Sequence, residues 1–203
     1  MRAQVVVLAG PSGAGKSRLA ERLGLPVLRL DDFYKSAGDP TLPLIETGAN
    51  AGLVDWDHPD SWLPDDAVAA IEALCETGRA EVPIYEIAQD GRCGWQTLEL
   101  GPEPLFVAEG IFAQEIVPRC REDGHLAAAY CVRQHAAVTF WRRLTRDLRE
   151  HRKPPLVLVR RGLALLRDQR RVVQRAVDLG CAPVSPDQAW TALRALRARS
   201  TPR

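Results

Sequence analysis

The sequence predicts an α/β fold, three layers built around a mostly parallel sheet, and three observations carry that prediction. Short, continuous runs of β-branched and apolar residues are bounded by glycine, as at Gln4–Ala9 (QVVVLA), the pattern of a strand covered on both faces. Such runs alternate with stretches whose apolar residues recur at helical spacing, which is the order expected of β-α-β units. A strand, a glycine-rich turn, a helix and a second strand already fit within the opening segment up to Leu30.

Taken in order, Gln4–Ala9 is the first strand, and the helix after the turn places Leu19, Ala20 and Leu23 on one face before Gly24 closes it. Pro26–Leu30 (PVLRL) reads as the second strand. Asp31 to Leu63, rich in Asp, Pro and Gly, reads as mostly loop. Asp65–Thr77 is an amphipathic helix with Ala67, Ala70, Ile71 and Leu74 inward and Gly78 as its stop. Val82–Ala88 and Trp95–Leu100 flank the turn residues Asp90-Gly91-Arg92-Cys93-Gly94, a β-hairpin. Pro104–Ala108 and Ala127–Val132 are further buried strands. Helices are expected over about His135–His151 and Val157–Leu179, and Ser185-Pro186-Asp187-Gln188 has the capping-box pattern that opens a last helix.

Composition narrows the function classes. The 203 residues, 46% hydrophobic and 26% charged, suit one domain spanning 1–203 and exclude a disordered, collagen-like or disulfide-stapled chain. No apolar run approaches the roughly 20 residues of a membrane span, and Val5–Ala9 is too short for a signal peptide. The five cysteines are odd in number and include no C-x-x-C pair, so reduced thiols and a cytoplasmic location are expected. Net charge is +1, which gives no global reason to expect nucleic acid or a membrane as partner. The charge is unevenly placed, however. Arg142 to Arg175 holds 12 Lys or Arg against three acids, whereas Asp31 to Glu115 leans acidic, so one end suits anions.

Gly10-Pro11-Ser12-Gly13-Ala14-Gly15-Lys16-Ser17 fits G-x-x-x-x-G-K-[ST], after a strand and opening a helix. In such a loop the backbone N–H groups of Gly10, Ser12, Gly13, Ala14 and Gly15 turn around phosphate oxygens at the positive end of a helix. Lys16 bridges the β- and γ-phosphates of ATP, and the Ser17 hydroxyl ligates Mg²⁺. Asp31, coming directly off the second strand, belongs at the carboxyl edge of the sheet, where ligands bind. A carboxylate there accepts a hydroxyl proton or holds Mg²⁺ through water; the plainer alternative is a solvated turn or helix cap.

The blocks L-D-D-F-Y-K at Leu30–Lys35, D-H-P-D-S-W at Asp57–Trp62, V-P-I-Y-E-I at Val82–Ile87, V-A-E-G-I-F at Val107–Phe112 and R-R-L-T-R-D-L-R-E-H-R at Arg142–Arg152 follow the loop in that order. Together they resemble the uridine/cytidine kinase family over about Val5 to Lys153. The resemblance implies a P-loop kinase fold with a β-hairpin insertion at about 82–100 and an arginine-rich helical lid at about 142–155. It implies transfer of the ATP γ-phosphate to the 5′-hydroxyl of uridine or cytidine with Mg²⁺ as cofactor. Asp31 then matches the catalytic aspartate, Tyr34 the tyrosine beside the nucleoside, Asp57 the aspartate holding the ribose hydroxyls and Tyr85 the base-pocket tyrosine. Glu109 matches the acid that helps hold Mg²⁺, and Arg143 and Arg146 match lid arginines over the phosphates. Helical spacing places Arg142, Arg146 and Arg149 together, as a lid requires; a solvated basic face or a nucleic-acid patch is the competing reading.

Departures from the family pattern concentrate in the base pocket. Tyr85 and Arg92 keep their spacing, but Asp90 stands where the family carries a base-reading histidine, and Ile87 replaces an aromatic. An ionised Asp only accepts hydrogen bonds, whereas histidine also donates. A kinase for another hydroxyl compound (a modified nucleoside, a sugar or a pantothenate-like alcohol) and an ATP-binding regulator are therefore carried as alternatives. The expected partners are ATP and a small nucleoside-like acceptor, with self-association left open.

Overall fold

The computed structural model describes residues 3–48, 50–89, 91–134 and 170–200. Strand β1 (Gln4–Ala9) occupies the centre of a five-stranded sheet, and helix α1 (Lys16–Leu23) follows it through the glycine-rich loop. Next come β2 (Val27–Arg29), a 3₁₀ turn over Leu30–Phe33, and α2 (Pro64–Thr77). A hairpin of β3 (Arg79–Glu86) and β4 (Gly91–Glu99) precedes β5 (Leu105–Glu109), α3 (Val117–Glu122) and β6 (Leu126–Val132). Helix α4, over 170–178, leads to β7 (Ala182–Val184) and α5 (Pro186–Ser200). The sheet order is β2-β5-β1-β6-β7, and all four neighbouring pairings in it are parallel.

Burial explains why β1 shows no polar alternation. Val5, Val7 and Ala9 enter the apolar cluster shared with α2, α3 and the hairpin, while Val6 and Leu8 enter the one shared with α1 and α5. Strand β5 divides the same way, with Phe106 and Ala108 on the first side and Leu105 and Val107 on the second. Because successive side chains point to opposite faces, a strand covered on both sides must be apolar throughout.

Helix ends follow the local signals. Gly24 and Gly78 adopt the left-handed conformation that closes α1 and α2, a backbone region glycine enters without a Cβ clash. The capping box closes reciprocally: Gln188 N–H donates to Ser185 Oγ at 3.2 Å and Ser185 N–H donates to Gln188 Oε1 at 2.8 Å. Arg197 of α5 donates to Leu23 O at 2.7 Å and pairs with Glu103 at 2.6 Å, fastening α5 to the carboxyl end of α1.

Some boundaries differ from expectation. A 3₁₀ turn covers Ile87–Gln89, and Gly91 to Gly94, expected in the turn, belong to β4. The pairing shifts register between Ile84, opposite Gly94, and Tyr85, opposite Arg92, so Cys93 is the extra residue of a bulge. The stretch from Asp31 to Leu63 contains two 3₁₀ turns, and isolated bridges join Tyr34 to Trp62 and Leu44 to Val54. Strand β7 was not anticipated, being three residues long and containing Pro183. The helix expected over His135–His151, and residues 157–169 of the next one, lie outside the described residues. Among the described residues no helix is long and apolar enough to cross a membrane.

The sheet order fixes where a ligand can enter. The chain leaves β1 toward β2 on one side, and leaves β6 toward β7 on the other. Outgoing connections therefore diverge between β1 and β6, the arrangement that opens a crevice at the carboxyl ends of parallel strands.

Candidate active site

The loop from Gly10 to Ser17 sits at that crevice. Gly10 has φ +128°, and a Cβ there would stand 2.3 Å from the carbonyl oxygen of Val132, so only glycine lets the loop pass the end of β6. Gly13 and Gly15 also have positive φ, and Ala14 N–H donates to Pro11 O at 3.1 Å, tightening the turn. No side chain caps the first turn of α1, so its N–H groups face the loop interior, where an anion is stabilised. The Lys16 ammonium is held inside the loop, donating to Gly10 O at 2.7 Å and Pro11 O at 3.3 Å.

Three carboxylates gather opposite. Glu109 ends β5, and its Oε1 accepts a hydrogen bond from the Ser17 hydroxyl at 2.8 Å across the sheet. Burial pushes the Glu109 carboxyl above its ordinary range, an effect opposed by the nearby Lys16 ammonium and the Ser17 hydrogen bond. Asp31 opens the 3₁₀ turn after β2, and its Oδ1 accepts from Ile111 N–H at 3.0 Å. Residue 110 must be small for this approach, because a Cβ on Gly110 would stand 2.8 Å from Asp31 Oδ1 and 2.9 Å from Leu30 Cβ. Asp32 is buried; burial raises its carboxyl to about 6, against the pull of Arg29 at 3.6 Å, and the neighbouring Asp31 and Glu109 carboxylates add to the rise.

One 3₁₀ turn beyond Asp31, Tyr34 is the hub of an aromatic group. Its ring lies 5.9 Å from Trp56, 5.8 Å from Tyr85 and 5.9 Å from Phe112, in edge or tilted geometry. The Tyr34 hydroxyl donates to Trp56 O at 3.1 Å, which fixes the segment carrying Asp57, whose own N–H donates to Asp55 at 3.1 Å. Behind them Trp62 is buried, with its indole N–H donating to Leu30 O at 2.6 Å. Phe112 packs against Trp62, so the same wall extends into the core under the turn that bears Asp31.

The structure thus brings the phosphate loop, Ser17, Asp31 and Glu109 together, and joins Tyr34, Tyr85 and the Asp57 segment beside them. Arg92 has a different setting: its guanidinium pairs with Asp66 at 3.0 Å and lies 5.8 Å from the Trp95 ring. Asp90, Arg142, Arg143 and Arg146 lie outside the described residues. Trp56 and Phe112 escaped the sequence reading as pocket residues. The available signal was their place in the chain, directly before Asp57 and at the end of the V-A-E-G-I-F block.

Comparison with known proteins agrees with this geometry. The profile of the family described as "Phosphoribulokinase / Uridine kinase family" matches residues 5–153. A uridine kinase of Chloroflexus aurantiacus is 29% identical over 172 residues, covering 80% of this chain and 77% of that protein. The protein named inorganic pyrophosphatase TTM2 of Arabidopsis thaliana is 30% identical over 116 residues, 54% of this chain, which spans only 15% of that longer protein. The crystal structure of a protein described as a fructose transport system kinase, from Silicibacter sp. TM1040, shares the fold. Its TM-score is 0.58 at 20% identity, covering 85% of each chain. The chain belongs to the phosphoribulokinase/uridine kinase family, the class of ATP-dependent phosphotransferases that use an alcohol as acceptor.

Proposed function

We propose that this protein phosphorylates the 5′-hydroxyl of a pyrimidine nucleoside, uridine or cytidine, with ATP as donor. The observation that carries this reading is the aromatic group of Tyr34, Trp56 and Tyr85, half-buried and one short turn from Asp31. A planar base stacks on such a wall, which leaves the sugar directed toward the carboxylate. Asp57, next to Trp56, is suited to accept from the ribose hydroxyls.

In this mechanism the phosphate loop and Lys16 hold the triphosphate, and Asp31 accepts the proton of the attacking hydroxyl. A bond forms between that oxygen and the γ-phosphorus as the bond to the β-phosphate oxygen breaks, releasing ADP. Lys16 offsets the negative charge that grows on the bridging and equatorial oxygens. Ser17, Glu109 and Asp31 supply hydroxyl and carboxylate oxygens, the hard donor set that magnesium prefers, and the Ser17–Glu109 contact already aligns two of them. Among the described residues no cluster of three or more acidic, His or Cys side chains forms a metal cage. A magnesium ion held by Ser17, Glu109 and Asp31 would supply charge neutralisation to the triphosphate.

By sequence position alone, Asp90 matches the base-reading residue of the family. A carboxylate in the base-reading position favours the amino group of cytosine over O4 of uracil. The expected gap in kcat/KM is about 5- to 150-fold, from the roughly 1–3 kcal/mol of an unpaired acceptor. Ile87, 54% exposed and standing where the family carries an aromatic, supports a second reading, a kinase for another alcohol. A mass-spectrometric panel of nucleosides, sugars and other alcohols with ATP separates the two. Cytidine monophosphate as the leading product is the expected result. Turnover of neither pyrimidine nucleoside, alongside turnover of another alcohol, rejects the nucleoside reading.

A further inference from the structure

Tyr85, on the aromatic wall, stands on the hairpin, which belongs to a separate two-stranded sheet from the one that carries the phosphate loop and Asp31. Its position relative to the phosphate loop therefore depends on side-chain contacts between hairpin and body. Directly across the hairpin from Tyr85, in register, is Arg92. The Arg92 guanidinium donates to Asp66 Oδ2 at 3.0 Å, on the first turn of α2, and its backbone N–H donates to Ser36 Oγ at 3.2 Å, two residues after Tyr34. The Arg92 side chain is mostly buried, 23% exposed, and its Nε is buried without an acceptor among the described residues. Asp66 is consequently the counter-charge that holds this desolvated guanidinium in place.

We infer that Asp66, acting through Arg92, is a positioning residue for the alcohol acceptor: the pair latches the hairpin to α2 and so sets the distance of Tyr85 from Tyr34. This assignment rests on the proposed acceptor site at Tyr34 and Tyr85. It gives Arg92 a role as a strut rather than as a direct contact of the base. Three links converge on this end of the hairpin, from α2 through Asp66, from the Tyr34 loop through Ser36, and through the tilted Tyr34–Tyr85 ring contact. Of these three, among the described residues, the Asp66 link is the one that carries charge, and the phosphate loop takes no part in any of them. Loosening it should therefore weaken acceptor binding while leaving the triphosphate site alone.

Steady-state kinetics of Asp66→Asn, with whichever alcohol the native protein phosphorylates best, test this directly. The expected result is an acceptor KM raised about three- to tenfold, with kcat and the KM for ATP little changed, the scale of losing a partly exposed charged pair. Asp65→Asn is the control, since Asp65 shares the first turn of α2 but pairs with Arg119 at 3.0 Å. It loses the same favourable charge at the helix start and should leave the acceptor KM at its native value. In the double variant Asp66→Asn/Arg92→Ala the acceptor KM should match that of Arg92→Ala alone, because the two side chains act as one unit. Equal effects of Asp65→Asn and Asp66→Asn, additive effects in the double variant, or a native acceptor KM in Asp66→Asn overturns the latch. Tyr85→Ala distinguishes this from failure of the underlying site: a native acceptor KM in that variant rejects the acceptor site itself.

Discussion

Asp31 shows how little freedom a single side chain retains at this site. Its carboxylate is reached by Ile111 N–H, and the strand end that delivers this donor passes so close that residue 110 has room for hydrogen only. Gly110→Ala must push the turn at Asp31 away, since Leu30 beside it is buried and has nowhere to go. The expected outcome is a folded protein whose kcat falls by about 10²-fold, the typical result of displacing a reacting group by about 1 Å. Circular dichroism and a melting curve check the fold, and steady-state kinetics check the rate; native turnover would show that Asp31 need not be held by Ile111. At the same scale the loop residues were legible in the sequence, because a phosphate loop is a contiguous motif. The Ser17–Glu109 contact was not, as its partners lie 92 residues apart and meet only once β1 and β5 pair.

Among the elements, those with local signals were legible in full. Strand β1 and the ends of α1 match expectation because glycine and burial on both faces mark them within a few residues. The capping box at Ser185 and Gln188 belongs to the same class. Ser185→Ala removes one acceptor for an orphan helix N–H and should cost about 0.5–2 kcal/mol. For a chain of this size that lowers the melting temperature by roughly 2–4 °C per kcal/mol. Differential scanning calorimetry measures it, and an unchanged melting temperature would mean that α5 is held by Arg197 and its apolar face alone. Elements defined by partners were less legible. The hairpin turn is displaced by the register shift at Ile84/Tyr85, and β7 exists because Val132 and its neighbours offer an edge to pair with. Pro183 tolerates that place because a strand at a sheet edge need not donate on both sides.

For the molecule as a whole, the parallel sheet places the phosphate loop, Asp31 and Glu109 on one edge at the carboxyl ends of β1, β2 and β5. The same burial governs the cysteines. Cys75, Cys120, Cys131 and Cys181 are buried, and burial raises the Cys75 thiol to about 11 and those of Cys120 and Cys181 to about 12. Cys93 on the hairpin is exposed. A thiol reagent at neutral pH should therefore label one cysteine of the native protein quickly and the other four only after unfolding. Rapid labelling of two or more would show that the core opens more readily than this packing allows. The assignment of phosphoryl transfer to the loop and the facing carboxylate is tested most directly by the turnover of Asp31→Asn at saturating ATP and acceptor. Its kcat should fall by on the order of 10²-fold or more while the KM for ATP stays close to native, because the triphosphate is held by the loop. A native kcat, with a rise confined to the KM for ATP, would contradict that assignment and make Asp31 a nucleotide-binding group.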